Sequence, residues 1–211
     1  NVLREPDAVA WLDNDRFITA NEGDYEGGSR GFTIFNSKGG VLFDSGNQLE
    51  HIAMAHGHYP AKRASKKGNE PEGVAVGSFG GQTYFFINSE RANMVSVYKD
   101  TGAAPEFVQV LPTHVGPEGV LTIPSRNLFV VANEVDDAEA PVRAQLGVYE
   151  YGAAKPAYPS IVSVKDPETG APIGWGALSG LAADKTDPNK VYAVSDSFYD
   201  TARIFTLDVS K

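Results

Sequence analysis

Three features of the 211-residue sequence predict an all-β fold, a β-propeller or partial propeller of four blade-like, four-stranded antiparallel repeats with the last blade incomplete. The first is self-similarity. Glu5-Pro6-Asp7-Ala8-Val9, leading to Asn21-Glu22, returns as Glu70-Pro71-Glu72-Gly73-Val74 to Ser89-Glu90, as Gly116-Pro117-Glu118-Gly119-Val120 to Asn133-Glu134, and as Leu178-Ser179-Gly180-Leu181 to Ser195-Asp196. The second and third copies stand roughly 45 residues apart, the period of a four-stranded blade; the wider gaps fit the same unit plus an insertion. The second feature is a series of short segments rich in β-branched and aromatic residues. Turn formers such as Asp13-Asn14-Asp15 and Lys38-Gly39-Gly40 separate them. The third is the acid that closes the second strand of every copy.

Strands are expected in order at Ala8 to Leu12, Phe17 to Asn21, Phe32 to Phe35 and Val41 to Phe43 in the first repeat. The second gives Val74 to Phe79, Tyr84 to Asn88, Met94 to Tyr98 and Phe107 to Leu111. Val120 to Ile123, Leu128 to Ala132, Leu146 to Tyr149 and Ile161 to Val164 make the third. Leu181 to Ala183, Val191 to Val194 and Ile204 to Leu207 make the fourth, which has no outer strand. The repeats span residues 4–46, 70–112, 116–164 and 178–211 of one domain covering 1–211, with an insertion at 47–69. The chain starts without Met, and Asn1-Val2-Leu3 looks like the end of an outer strand. Both ends therefore read as cut or processed, and the remaining blades of a longer parent chain are expected partners.

Composition narrows the function classes. A net charge of −9 argues against nucleic acid, which wants a basic face. No apolar run approaches the ~20 residues that cross a bilayer. The absence of cysteine excludes disulfides and thiolate chemistry. No Gly-x-Ser-x-Gly elbow, Gly-x-x-x-x-Gly-Lys loop or His-Glu-x-x-His pair is present, and no catalytic residue is assigned. In Gly176-Ala177-Leu178-Ser179-Gly180, Ser179 aligns with Glu72 and Glu118 and reads as structural rather than nucleophilic.

Antiparallel pairing puts the end of a second strand beside the starts of the first and third. Asp7, Glu22, Glu72, Glu90, Glu118, Glu134 and Asp196 should therefore gather at one mouth, with an arginine before each third strand: Arg30, Arg91, Arg143 and Arg203. The longer loops, 46–70, 135–144 and 165–177, fall at the same end, where binding residues concentrate. So many carboxylates need compensation. Two readings stay open: a structural latch in which the arginines and backbone amides pair with the acids, and a Ca²⁺ site, since Ca²⁺ takes six to eight oxygen ligands. The insertion adds Lys62, Arg63, Lys66 and Lys67, which could receive a phosphate or carboxylate or pair with the acidic rim. On that reading Arg30, Arg91, Arg143, Arg63 and Lys67 would hold a small anionic ligand. His51, His56 and His58 lack a carboxylate at a metal-ligand spacing, so a zinc role is a weak reading. Trp175 could stack on a ligand or pack under the long loop.

The runs Arg4-Glu5-Pro6-Asp7-Ala8-Val9-Ala10, Ala20-Asn21-Glu22-Gly23-Asp24 and Gly28-Ser29-Arg30-Gly31-Phe32 resemble the phytase-like propeller family described as having esterase-like activity of phytase. Gly57-His58-Tyr59-Pro60, Lys67 to Val74, Ser89-Glu90-Arg91, Val115 to Gly119 and Trp175 to Leu181 are similar to it too. The resemblance implies an exported bacterial protein, periplasmic or extracellular, of the alkaline phosphatase-like kind. It also implies hydrolysis of phosphate monoesters or related esters with Ca²⁺ at the acidic mouth. The alternative is a non-catalytic binding or scaffold module of a secreted or surface protein, in which the acids are structural.

Overall fold

The computed structural model describes residues 3–23, 27–152, 160–196 and 199–210, and it is all-β, with four antiparallel sheets of three or four strands. Asn1, Val2 and Asp24 lie outside the described residues. Each sheet follows chain order. The first is β1 (Pro6–Trp11), β2 (Arg16–Asn21), β3 (Phe32–Asn36) and β4 (Val41–Asp44). A helix, α1 (Gln48–Ala55), opens the insertion. The second sheet is β5 (Pro71–Phe79), β6 (Gln82–Ser89), β7 (Met94–Lys99) and β8 (Glu106–Pro112). The third is β9 (Pro117–Ile123), β10 (Leu128–Asn133) and β11 (Gln145–Glu150); the fourth is β12 (Leu178–Ala183), β13 (Lys190–Ser195) and β14 (Ile204–Asp208).

Strand periodicity decides which face of each sheet is buried. In the first sheet Ala8, Ala10, Ile18, Ala20, Phe32 and Ile34 point one way and meet Val74, Phe85, Ile87 and Tyr98 of the second. Phe32 is fully buried and sets its ring edge-on to Phe85 and Tyr98, with centroids 5.3 and 4.9 Å away. The opposite face of the second sheet places Ala75, Phe86, Val95 and Val97 against Phe129 and Val131 of the third, with Phe86 stacked on Phe129 at 4.1 Å. Alternate residues of β5 thus serve two interfaces, and β5 is flanked by β1 and β9.

A polar clamp adds to the first interface. Arg16, in the turn end of β2, donates Nη1 and Nη2 to Asp100 Oδ1 and Oδ2 at 3.0 and 2.6 Å. Asp13 takes a third bond from its Nε at 2.7 Å. Asp100→Asn removes one acceptor from this bidentate pair and should lower stability by about 1–2 kcal/mol, read from urea unfolding. A change indistinguishable from zero would mean that the clamp only decorates an interface already fixed by packing.

Two expectations need correction. The outer strand expected at Ile161 to Val164 does not form, so the third sheet has three strands. Ser163 instead donates its N–H to Ala55 O at 2.8 Å, and Ile173 donates to Val164 O at 3.0 Å. The segment's backbone groups are drawn to the end of α1 and to the loop before the fourth sheet, so they do not extend β11. The second expectation, the propeller, holds at a coarser level, as consecutive antiparallel sheets: they have the predicted order, and the inner strands of the first three neighbour one another. Segment 160–175 instead carries the chain to α1: Trp175 donates Nε1–H to Ala55 O at 2.9 Å, and Tyr199 donates to Trp175 O at 3.0 Å. Among the described residues, no helix is long and apolar enough to cross a membrane.

Candidate functional site

The acids reach the mouth by a device repeated in every sheet. The first strand of each pair carries one residue more than its partner. Pro6 and Ala8 face Asn21 and Ala20, leaving Asp7 over; Pro71 and Gly73 face Ser89 and Asn88, leaving Glu72 over. Glu118 and Gly119 together oppose Ala132, and Ser179 is the spare residue between Leu178 and Gly180. These are β-bulges, which bend a strand and re-aim the extra side chain. One residue beyond each second strand, the backbone closes in the same way: Glu22 N–H donates to Glu5 O, Glu90 to Glu70 O, Glu134 to Gly116 O and Asp196 to Ala177 O, at 2.8–2.9 Å.

Bulge and strand end therefore deliver carboxylates to one place. Glu22, Glu70 and Glu72 form one triad and Glu72, Glu90 and Glu118 another, each offering carboxylate oxygens within 4.8 Å of one another. Glu72 belongs to both. Its carboxyl is pushed up to about 9, first by burial, then by a side-chain hydrogen bond with Asp7 and by the charges of Glu22 and Glu118. Burial and a hydrogen bond with Glu70 raise Glu90 to about 7. Glu118 is raised by burial and then by Glu134 and Asp7. With its carboxyl pushed this far up, Glu72 favours its protonated form at neutral pH and donates to Asp7. Asp196 has the same station in its sheet but belongs to neither triad.

Cations close the rim. Arg63 and Lys67, from the insertion, form ion pairs with Glu70 and Glu22. Arg91 adds Nε to Glu70 Oε2 at 2.9 Å, and its Nη1 lies 2.7 Å from Glu90 Oε1, a charge contact without the alignment of a hydrogen bond. Burial works against ionisation of Glu70, but Arg63 and Arg91 outweigh it and hold this carboxyl below its ordinary value. Glu70 was not among the sequence-predicted site residues. It is 1% exposed and sits at φ 49°, a left-handed conformation that its two arginine bonds help to hold. Its signal was its place before Pro71, matching Glu5 before Pro6.

The remaining predicted cations lie elsewhere. Arg30 donates to Ala64 O and Lys66 O and faces Glu50 at 3.4 Å, so it ties the insertion to the first sheet. Arg143 pairs with Asp136 at 2.8 Å on an exposed loop. Arg203 lies close enough to Asp166 to lower its carboxyl, although backbone N–H groups of Thr169 and Glu168 contribute more. In this geometry Arg30, Arg63, Lys67 and Arg91 already face protein oxygens. The mouth is an acid cluster under a basic cover, able to fix the connections after β2, β6 and β10.

The sequence profile of the Choice-of-anchor I domain matches residues 25–103, from before β3 to past the end of β7. No curated protein matches the chain. This match corrects the resemblance to the phytase-like propellers: the chain is similar, over less than half its length, to a different family, and nothing here supports a phytase, a hydrolase or a calcium enzyme.

Proposed function

We propose that the chain is a non-catalytic scaffold or binding module of an exported or surface bacterial protein, with its first three sheets acting as consecutive blades of a propeller. The observation that carries this reading is the occupancy of the cations at the mouth. Arg63, Lys67 and Arg91 pair with Glu70, Glu22 and Glu90, which favours the latch over an anion-binding centre. Similarity to a Choice-of-anchor domain supports the surface assignment. The blade reading rests on the repeated interface: β1 beside β5 and β5 beside β9, each bearing its bulge at the same station. It also accounts for apolar faces left open at either end, with Val9 and Trp11 65% and 59% exposed and Leu121 and Leu146 59% and 65% exposed. Further sheets of the same kind would cover them.

The test is turnover of a chromogenic phosphate monoester, with thermal melting, in excess Ca²⁺ and in excess chelator. The expected result is no turnover in either condition and a melting temperature independent of Ca²⁺. Ca²⁺-dependent hydrolysis that is lost in Glu72→Gln together with Glu118→Gln would overturn the proposal.

A further inference from the structure

Outside the mouth, a groove of about 480 Å³ runs along β8, lined by Val108, Gln109 and Val110 on one side and by His56, His58 and Trp175 on the other. The two histidines are placed by the end of α1. His58 donates its N–H to Ala53 O at 2.8 Å and Gly57 donates to Met54 O at 3.2 Å, the paired bonds of a Schellman cap with Gly57 at φ 74°. A side chain at Gly57 would place its Cβ 2.9 Å from the Trp175 ring. The turn is therefore fixed both by its conformation and by the indole packed on it.

Each imidazole is also fixed in tautomer. His56 Nδ1 lies 2.9 Å from Ile52 O, and His58 Nδ1 lies 2.7 Å from Ala92 O. A carbonyl oxygen only accepts, so each Nδ1 carries the proton and donates. In the neutral ring Nε2 then holds the lone pair, on the ring edge turned away from those carbonyls. Donation of the second ring nitrogen to a backbone carbonyl is the usual support of a metal-bound histidine, because it orients the ring and raises its basicity.

We propose that His56 and His58 form a two-imidazole site for a borderline divalent cation such as Cu²⁺, Ni²⁺ or Zn²⁺, bound through Nε2 at the wall of this groove. Imidazole nitrogen suits these ions and is a poor ligand for Ca²⁺ or Mg²⁺. Two protein ligands leave coordination positions to water or to a donor group entering along β8. The ligands must be deprotonated, so binding weakens as the pH falls.

Trp175 shares the groove and reports the event. In a Trp11→Phe background, Cu²⁺ should quench Trp175 emission with a stoichiometry near one, and Ni²⁺ and Zn²⁺ should compete, whereas Ca²⁺ should not. His56→Ala and His58→Ala should each abolish saturable quenching. His51→Ala, on α1 but outside the groove lining, and Glu72→Gln, at the acidic mouth, should leave it intact. Should one histidine variant lose its circular dichroism spectrum, the other carries the test, and calorimetric titration of the parent chain with Zn²⁺ gives the stoichiometry independently. Unsaturable quenching in the parent, or saturable quenching retained in a folded His58→Ala or His56→Ala variant, overturns the proposal.

Discussion

Glu70→Ala should destabilise the protein by about 3 kcal/mol, lowering the melting temperature by about 6–12 °C for a chain of this size. Glu70 accepts from both Arg63 and Arg91 while its own side chain is 2% exposed, and truncation leaves two guanidinium groups facing a buried hole. The effect falls at the lower end for a broken buried ion pair because Arg63 and Arg91 are 32% and 43% exposed and can turn to water. Glu70→Gln keeps the volume and one acceptor and should lose about half as much. A double-mutant cycle with Arg63→Ala separates the pair from the packing: coupling below about 0.5 kcal/mol would show that the insertion is held by Arg30 and α1 instead.

The second large effect is a loss of stability as the pH rises from about 5 to about 9, on the order of 10 °C in melting temperature with chelator present. Glu72 and Glu90 titrate higher in the folded chain than in the unfolded one, at about 9 and about 7. Their contribution is therefore complete below the ordinary carboxyl value and is lost as the pH climbs through those two values. Glu70, Asp44 and Asp100 are shifted downward, so their contribution is present above the ordinary value and disappears in stronger acid. The two sets leave maximal stability in the mildly acidic range. Glu72→Gln keeps a donor for Asp7 without a titrating proton, so its profile should match the parent near pH 5 and be flatter at alkaline pH. Parallel profiles for the two proteins would mean that the cluster relaxes and ionises without strain.

The candidate site was partly legible. Asp7, Glu22, Glu72, Glu90 and Glu118 were placed together by counting strands, because antiparallel neighbours return the chain to the same edge of a sheet. The agent that aims Asp7 and Glu72 inward was not legible, since a bulge is a mismatch between two strands and appears only when both are paired. Nor was the choice of partner for each cation. Arg30, Arg91 and Arg143 precede their third strands alike, but Arg30 binds carbonyls of the insertion, Arg91 binds Glu70 and Arg143 binds Asp136. Long side chains on loops take whichever oxygen the folded loops bring near, and sequence spacing does not encode that.

By itself the sequence determined most of the strands, their turns and the order within each sheet, because alternation of apolar residues and turn chemistry act over a few residues. Only the tertiary structure decided that Ile161 to Val164 does not join β11, that the insertion lays Arg63 and Lys67 on the acids, and that His56 and His58 are locked by Ile52 and Ala92. The contacts of Ser163 with Ala55, Lys67 with Glu22 and His58 with Ala92 join groups far apart in the chain that compete for hydrogen bonds or charges. That competition is settled by packing rather than by local preference.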